Sequence, residues 1–433
     1  MKNRLISLIL SIFSVFAFSG CTAESPSAPP SLPQYGAQSV NDTTAITEQS
    51  TDTAETVLRD VTGFYPAEQE ELPAILDGEE GYPKKDESFS GFSGVTLLSE
   101  TPRLGNSQQN LTTSLYCGIV CRDGEAVYYT AIGYDNLLHK KTKQKDEVFL
   151  DKTVWGINIV GGQMYCIMNS EAPVQNLPAY SYGDLYRVDL KMGEMTPILA
   201  TKAISLTASE DKLYFVYDNH MINLDYNRVY ECDLNGENIT ARHGAYLGFI
   251  GEYSVGYDDF GVNSCLINEN TGEKVRFTDS NTVYSFMTEG EYCYYKLGGS
   301  GLYRLDPTNG ETIPMMPDES FDTIAYQVSE TETMIIDSGG HYIGGYCILD
   351  GDAYLVFDEF AFRVTPDGET EVYYTPAQFA ATGWYYEGLF WDGETLYTVR
   401  CNLSLKRYKL VGLQFTDEEF AEGIKTVKEI ELL

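Results

Sequence analysis

One short pattern, strand–turn–strand, recurs along this chain and restricts its fold more than any other feature. Its clearest copies are Leu185-Tyr186-Arg187-Val188-Asp189-Leu190-Lys191-Met192-Gly193-Glu194 and Leu302-Tyr303-Arg304-Leu305-Asp306-Pro307-Thr308-Asn309-Gly310-Glu311. Further copies close on Gly236-Glu237, Gly272-Glu273 and Gly368-Glu369, so successive Gly-Glu pairs stand 43, 36, 38 and 58 residues apart. Alternation of Leu185, Arg187 and Asp189 with Tyr186 and Val188 is the period-two spacing of a strand. Asp or Asn opens the turn by bonding the backbone two residues on, and Gly supplies the positive φ that closes it. The acidic copy Asp233-Leu234-Asn235-Gly236-Glu237-Asn238 invites a calcium loop. No copy carries the Asp-x-Asp-x-Asp-Gly ligand spacing, so a hairpin turn is predicted instead.

A second repeated element is a turn leading into an aromatic-rich strand, as in Asp123-Gly124-Glu125-Ala126-Val127-Tyr128-Tyr129 and Asp392-Gly393-Glu394-Thr395-Leu396-Tyr397. Aligning Tyr128, Tyr165, Tyr214, Val255, Tyr294, Leu355 and Tyr397 gives steps of 37, 49, 41, 39, 61 and 42 residues. Strand-and-turn units at a period near 40 residues predict an all-β fold, a β-propeller. The count predicts seven blades, with six as the alternative because the copy at Val255 is weak. The long step, across Phe321 to Ile348, predicts an insertion. The last run, Val427 to Leu432, alternates and is predicted to be an outer strand after an acidic loop from Thr416 to Gly423. The two chain ends are expected to pair within one blade, since unpaired edges invite aggregation.

The N-terminal part reads differently. Lys2 and Arg4 precede an apolar run of 14 residues, Leu5 to Phe18, too short to span a bilayer. It closes on Phe18-Ser19-Gly20-Cys21, which resembles the bacterial lipobox with Phe18 in place of the usual Leu. The resemblance implies a signal peptide over 1–20, cleavage before Cys21 and lipidation of that residue, hence a lipid anchor outside the cytoplasmic membrane. From 21 to 54 the chain reads as a disordered tether: 20 of the 33 residues after Cys21 are Ser, Thr, Pro or Ala, and none is Lys or Arg. Residues 55–92 form an acidic, irregular segment, and 93–433 carry the propeller.

The repeated Leu-Tyr-Arg-x-Asp-x-x-x-Gly-Glu turn, followed by an Asp-Gly-x-x-Leu-Tyr strand, resembles uncharacterised propeller domains of Gram-positive surface lipoproteins. Those are distantly similar to the YWTD propellers of the low-density-lipoprotein receptor, although no literal YWTD motif is present. The resemblance implies a membrane-anchored binding or scaffolding domain for a surface protein or glycan, with no established catalysis.

A formal charge of −35 repels polyanions, which argues against nucleic acid and anionic lipid headgroups as partners. Eight cysteines follow Cys21, scattered among apolar neighbours, and no Cys-x-x-Cys is present, so buried free thiols are expected rather than a metal site. The four histidines, His139, His220, His243 and His341, form no close pair and are expected in solvent-facing turns. Gly-x-Ser-x-Gly, the sialidase Asp-box and the quinoprotein Trp are all missing, so no catalytic, metal or cofactor residue is assigned. A carbohydrate-active enzyme of glycosidase or lyase type, using carboxylates in the central funnel, is the alternative, and 64 acidic residues do not single out a pair. The lysines of Lys140-Lys141-Thr142-Lys143-Gln144-Lys145 are expected in a solvated hairpin turn of the first blade. Candidate ligand-binding residues are Trp384, Tyr385, Tyr386 and Trp391, in the densest aromatic stretch, because aromatic faces stack on sugar rings. The competing expectation puts them in the wedge between blades.

Overall fold

The computed structural model describes residues 59–60 and 91–432, apart from 102–117, 169–182, 218–227, 246, 258–263, 279–282, 298–300, 317–323, 330–331, 337–344, 357–359, 376–383, 403–404, 406 and 422. Cys21, the signal and tether segments, Cys117, His220 and His341 lie outside the described residues.

The chain is an all-β propeller built from antiparallel sheets. Among the described residues its strands fall into seven successive runs of four. The first run is Val120–Asp123, Ala126–Thr130, Leu138–Lys141 and Asp146–Leu150; the seventh is Tyr385–Trp391, Leu396–Asn402, Arg407–Ala421 and Ile424–Glu431. The long strand Met195–Ala208 closes the second run through Gly183–Asp189 and opens the third through Lys212–Tyr217. The long step in the repeat holds a separate hairpin, Ile324–Ser329 with Glu332–Ile336, between the fifth and sixth runs.

The repeated turn has one geometry wherever its spacing is the same. Gly193 donates to Asp189 O at 2.8 Å, Gly272 to Asn268 O at 2.7 Å and Gly310 to Asp306 O at 2.9 Å. These glycines have φ of 68°, 72° and 78°, the left-handed region that a side chain disfavours. The Asp189 side chain also accepts from the N–H groups of Lys191 and Met192. In the shorter copy Asp233 closes its turn by backbone bonds, and its carboxylate accepts from Asn238 Nδ2 at 2.6 Å.

Apolar wedges between neighbouring runs form the core. Tyr214 packs on Phe249 between the third and fourth, Phe277 on Tyr295 between the fourth and fifth, and Met287 with Tyr346 between the fifth and sixth. One cluster joins Val120 and Tyr129 of the first run to Phe390 and Val399 of the seventh, so the two ends of the series meet. Fully burying one such side chain contributes about 1.5–3 kcal/mol. All seven described cysteines are buried, one in each run. Burial pushes the thiols of Cys166 and Cys232 up to about 12.

Closure of the series departs from expectation. Among the described residues no strand from the N-terminal side joins the seventh run, whose four strands follow one another in sequence. Its outer strand instead pairs in parallel with the sixth run, Val372–Tyr374 against Ile424–Thr426. The expected loop at Thr416 to Gly423 is mostly strand, because Arg407–Ala421 continues beyond its own run to cover that edge. Phe415 meets Tyr354 and Tyr373 edge-on, Phe420 stacks on Tyr374, and Lys425 bonds Glu371 at 2.6 Å. Residues 95–101, without regular structure, strap the turns of the fourth and fifth runs. Val95 N bonds Pro307 O, while Leu98 and Ser99 N–H groups donate to Glu252. Earlier in the chain Arg59–Asp60 pairs in parallel with Leu199–Ala200.

Candidate functional site

Each reversal in an antiparallel run swaps the end of the sheet at which the chain emerges. First and third connections therefore lie at one end of the propeller, and second connections and crossovers lie at the other. The first end carries tight turns, such as 124–125, 161–162, 251–252, 290–291 and 350–351. The second carries 131–137, the longest connection between strands whose residues are all described. We call these the turn end and the loop end.

At the loop end the first and seventh runs meet around the aromatic stretch. Alternation along Tyr385–Trp391 sends neighbours to opposite sides, so the four candidate aromatics do not share one surface. Tyr386, 1% exposed, lies in the wedge toward the sixth run, with Trp391 packed against the same cluster. Its hydroxyl donates to Glu429 at 2.6 Å. Arg400 also bonds Glu429, at 2.9 Å, and its guanidinium lies 4.8 Å from the Trp384 ring centre. Tyr385 packs into the opposite wedge, against the first run. Adjacency in sequence grouped residues that the pleat separates.

Glu387 shares the Tyr385 side of the strand, one pleat on. The Cys401 thiol donates to its carboxylate at 3.7 Å. Burial raises the proton affinity of Glu387 above the usual carboxylate range, with that thiol offsetting part of the effect. Burial also raises the phenols of Tyr385 and Tyr408. Above them the loop 131–137 crosses Tyr408 so closely that a Cβ on Gly133 would stand 1.5 Å from its carbonyl oxygen. The next residue, Tyr134, is 72% exposed, and Leu405 is exposed on the facing turn.

His139 corrects an expectation. It is 4% exposed, at the start of Leu138–Lys141, with Nε2 2.9 Å from Asp135 and Nδ1 3.2 Å from Asp146. The Tyr129 hydroxyl donates to the second Asp146 oxygen at 2.7 Å. Folding of the hairpin brings these groups together, a convergence that no local spacing announces. Of the lysines beside it, Lys143 and Lys145 lie in the hairpin turn, where Lys143 pairs with Glu125 at 2.6 Å and Lys145 with Glu147, whereas Lys140 and Lys141 are half-buried in the strand, Lys140 over Tyr128. His243 is exposed, as expected.

Among the described residues, Glu289 and Glu387 are the carboxylates whose proton affinity is raised, and they sit in different runs. Glu289 accepts from Asp350 N at 3.0 Å and Gly351 N at 2.9 Å, which ties two neighbouring turns together. No group of three His, Cys, Asp or Glu side chains among the described residues is arranged to hold a metal. Glu387 was legible only as a lone acid two residues after Trp384-Tyr385.

No protein-family model matches the chain, and no curated protein matches it. Solved structures resemble it in fold. The extracellular domain of BT4673 from B. thetaiotaomicron aligns at a TM-score of 0.43 and 10% identity, over 76% of this chain and 40% of that one. PorZ, a surface component of the type-IX secretion system of Porphyromonas gingivalis, aligns at 0.41 and 13%, over 78% and 39%. The chain thus spans about two-fifths of each of these two proteins. The β-propeller domain of the Trilobed protease from Pyrococcus furiosus, with its open velcro topology, aligns at 0.39 and 14%, over 77% and 96%.

Proposed function

We propose that the chain is a lipid-anchored propeller of seven blades, one per four-strand run, that binds or scaffolds a protein or glycan outside the cytoplasmic membrane. The observation that carries this reading is the contrast between the two ends. Turns at one end are short, closed by their own Asp, Asn and Gly residues and strapped by 95–101. The other end carries the loop 131–137 and exposes Tyr134 and Leu405 beside the Glu387 wedge. Ligand recognition is disproportionately a property of loops held on a rigid scaffold. The anchor rests on the lipobox-like Phe18-Ser19-Gly20-Cys21 alone.

The mature chain, screened against peptide-free glycans and surface proteins, is expected to bind saturably and to lose affinity on Tyr134→Ala or Trp384→Ala. Binding indifferent to both changes refutes the loop end as the site. Palmitate labelling of whole cells is expected to tag the chain and to fail with Cys21→Ala. An enzyme acting on carbohydrate is the second reading, favoured by the acid at Glu387; sugar release abolished by Glu387→Gln would establish it.

A further inference from the structure

The turn end of the seam between the first and seventh runs holds a notch of about 290 Å³. Val127, Tyr397 and Leu432 form its buried floor, and Ile430, 43% exposed, gives it an open apolar wall. Charges of both signs face one another across its rim. Lys143 pairs with Glu125 at 2.6 Å and Arg122 with Glu394 at 3.2 Å. Lys143 and Glu394 are 77% and 67% exposed, so these pairs are weakly held and exchange readily. Arg122 is fixed from below by the buried Asp392 at 2.8 Å, which keeps its guanidinium at the rim when Glu394 lets go. Asp392 is itself held by the Tyr397 hydroxyl and by its own turn.

We propose that this notch binds short peptides as zwitterions, through their free termini. A carboxylate replaces Glu125 and Glu394 beside Lys143 and Arg122, and an ammonium takes up the carboxylates so released. A side chain of the ligand covers the apolar lining. The volume lies near the lower bound of small-molecule sites, about 300 Å³, which suits two or three residues. The protein's net charge of −35 disfavours a polyanion here, whereas a zwitterion adds no net charge. The site is independent of the loop-end reading, since it lies at the opposite end of the strands.

Titration calorimetry of the mature chain with trialanine at low ionic strength tests this, with N-acetyl-trialanine amide as the comparison. One saturable site is expected, with the capped peptide at least about tenfold weaker. Lys143→Ala combined with Glu394→Gln is expected to weaken trialanine by a similar factor while leaving the melting temperature unchanged, because both side chains are exposed. Equal binding of capped and free peptide, an unaffected double variant, or no heat up to about 10 mM trialanine overturns the proposal.

Discussion

At the scale of single residues, the buried polar groups carry the sharpest expectations. His139 separates Asp135 from Asp146, and removing it deprives two part-exposed carboxylates, 28% and 18% exposed, of their shared partner. His139→Ala is expected to cost about 1–3 kcal/mol in denaturant unfolding. Glu387 acts in the opposite direction from most acids here. Its folded form holds the proton more tightly than the unfolded chain, so its contribution is fully present below about pH 4.5 and is lost as pH rises through the folded value. Glu387→Gln should therefore flatten the decline in stability as pH rises above about 4.5, measured as denaturation midpoint against pH. Neither residue could be picked out from the amino-acid string: His139 depends on a hairpin that brings Asp146 back beside it, and Glu387 on which side of the pleat it takes. The turn residues, by contrast, were fully legible, since Asp189 and Gly193 act on their own neighbours.

At the scale of elements, the hairpin of Arg407–Ala421 and Ile424–Glu431 decides how the last run is held. It grips the sixth run through a parallel backbone pair, aromatic contacts at Phe415 and Phe420, and the Lys425–Glu371 bond. Ile424 is fully buried where the two runs meet. Ile424→Ala is expected to cost about 2–5 kcal/mol, and Phe420→Ala distinctly less because Phe420 is part exposed. Thermal melts of both variants give the ranking, and equal losses would mean that the exposed Phe420 ring holds the hairpin tip as firmly as the buried Ile424. The acidic composition of 417–419 suggested a loop. Strand formation there is imposed by the neighbouring edge, a tertiary cause absent from local propensity.

For the whole molecule, acid sets the lower limit of stability. The carboxyl of Glu231, buried but bonded by Lys212 and Arg242, is held below the usual range; so are Glu371 beside Lys425 and Asp189 in its turn. Such groups stabilise the fold above their unfolded values, and the gain is lost as pH falls through the folded ones. Unfolding midpoints are therefore expected to drop as pH falls below about 4. The periodic placement of turns made the propeller readable, because each unit repeats the same local chemistry. How the series closes was not, since Phe390 and Val120 meet although 270 residues separate them in sequence. The strap from Val95 to Thr101 has a mechanical consequence. Tension entering from the N-terminal side meets the pairing of Arg59–Asp60 with Leu199–Ala200, then the Pro307 carbonyl and the Glu252 carboxylate, before it reaches the first run. The load is then borne by the second to fifth runs, and the seam between the first and seventh is spared the pull.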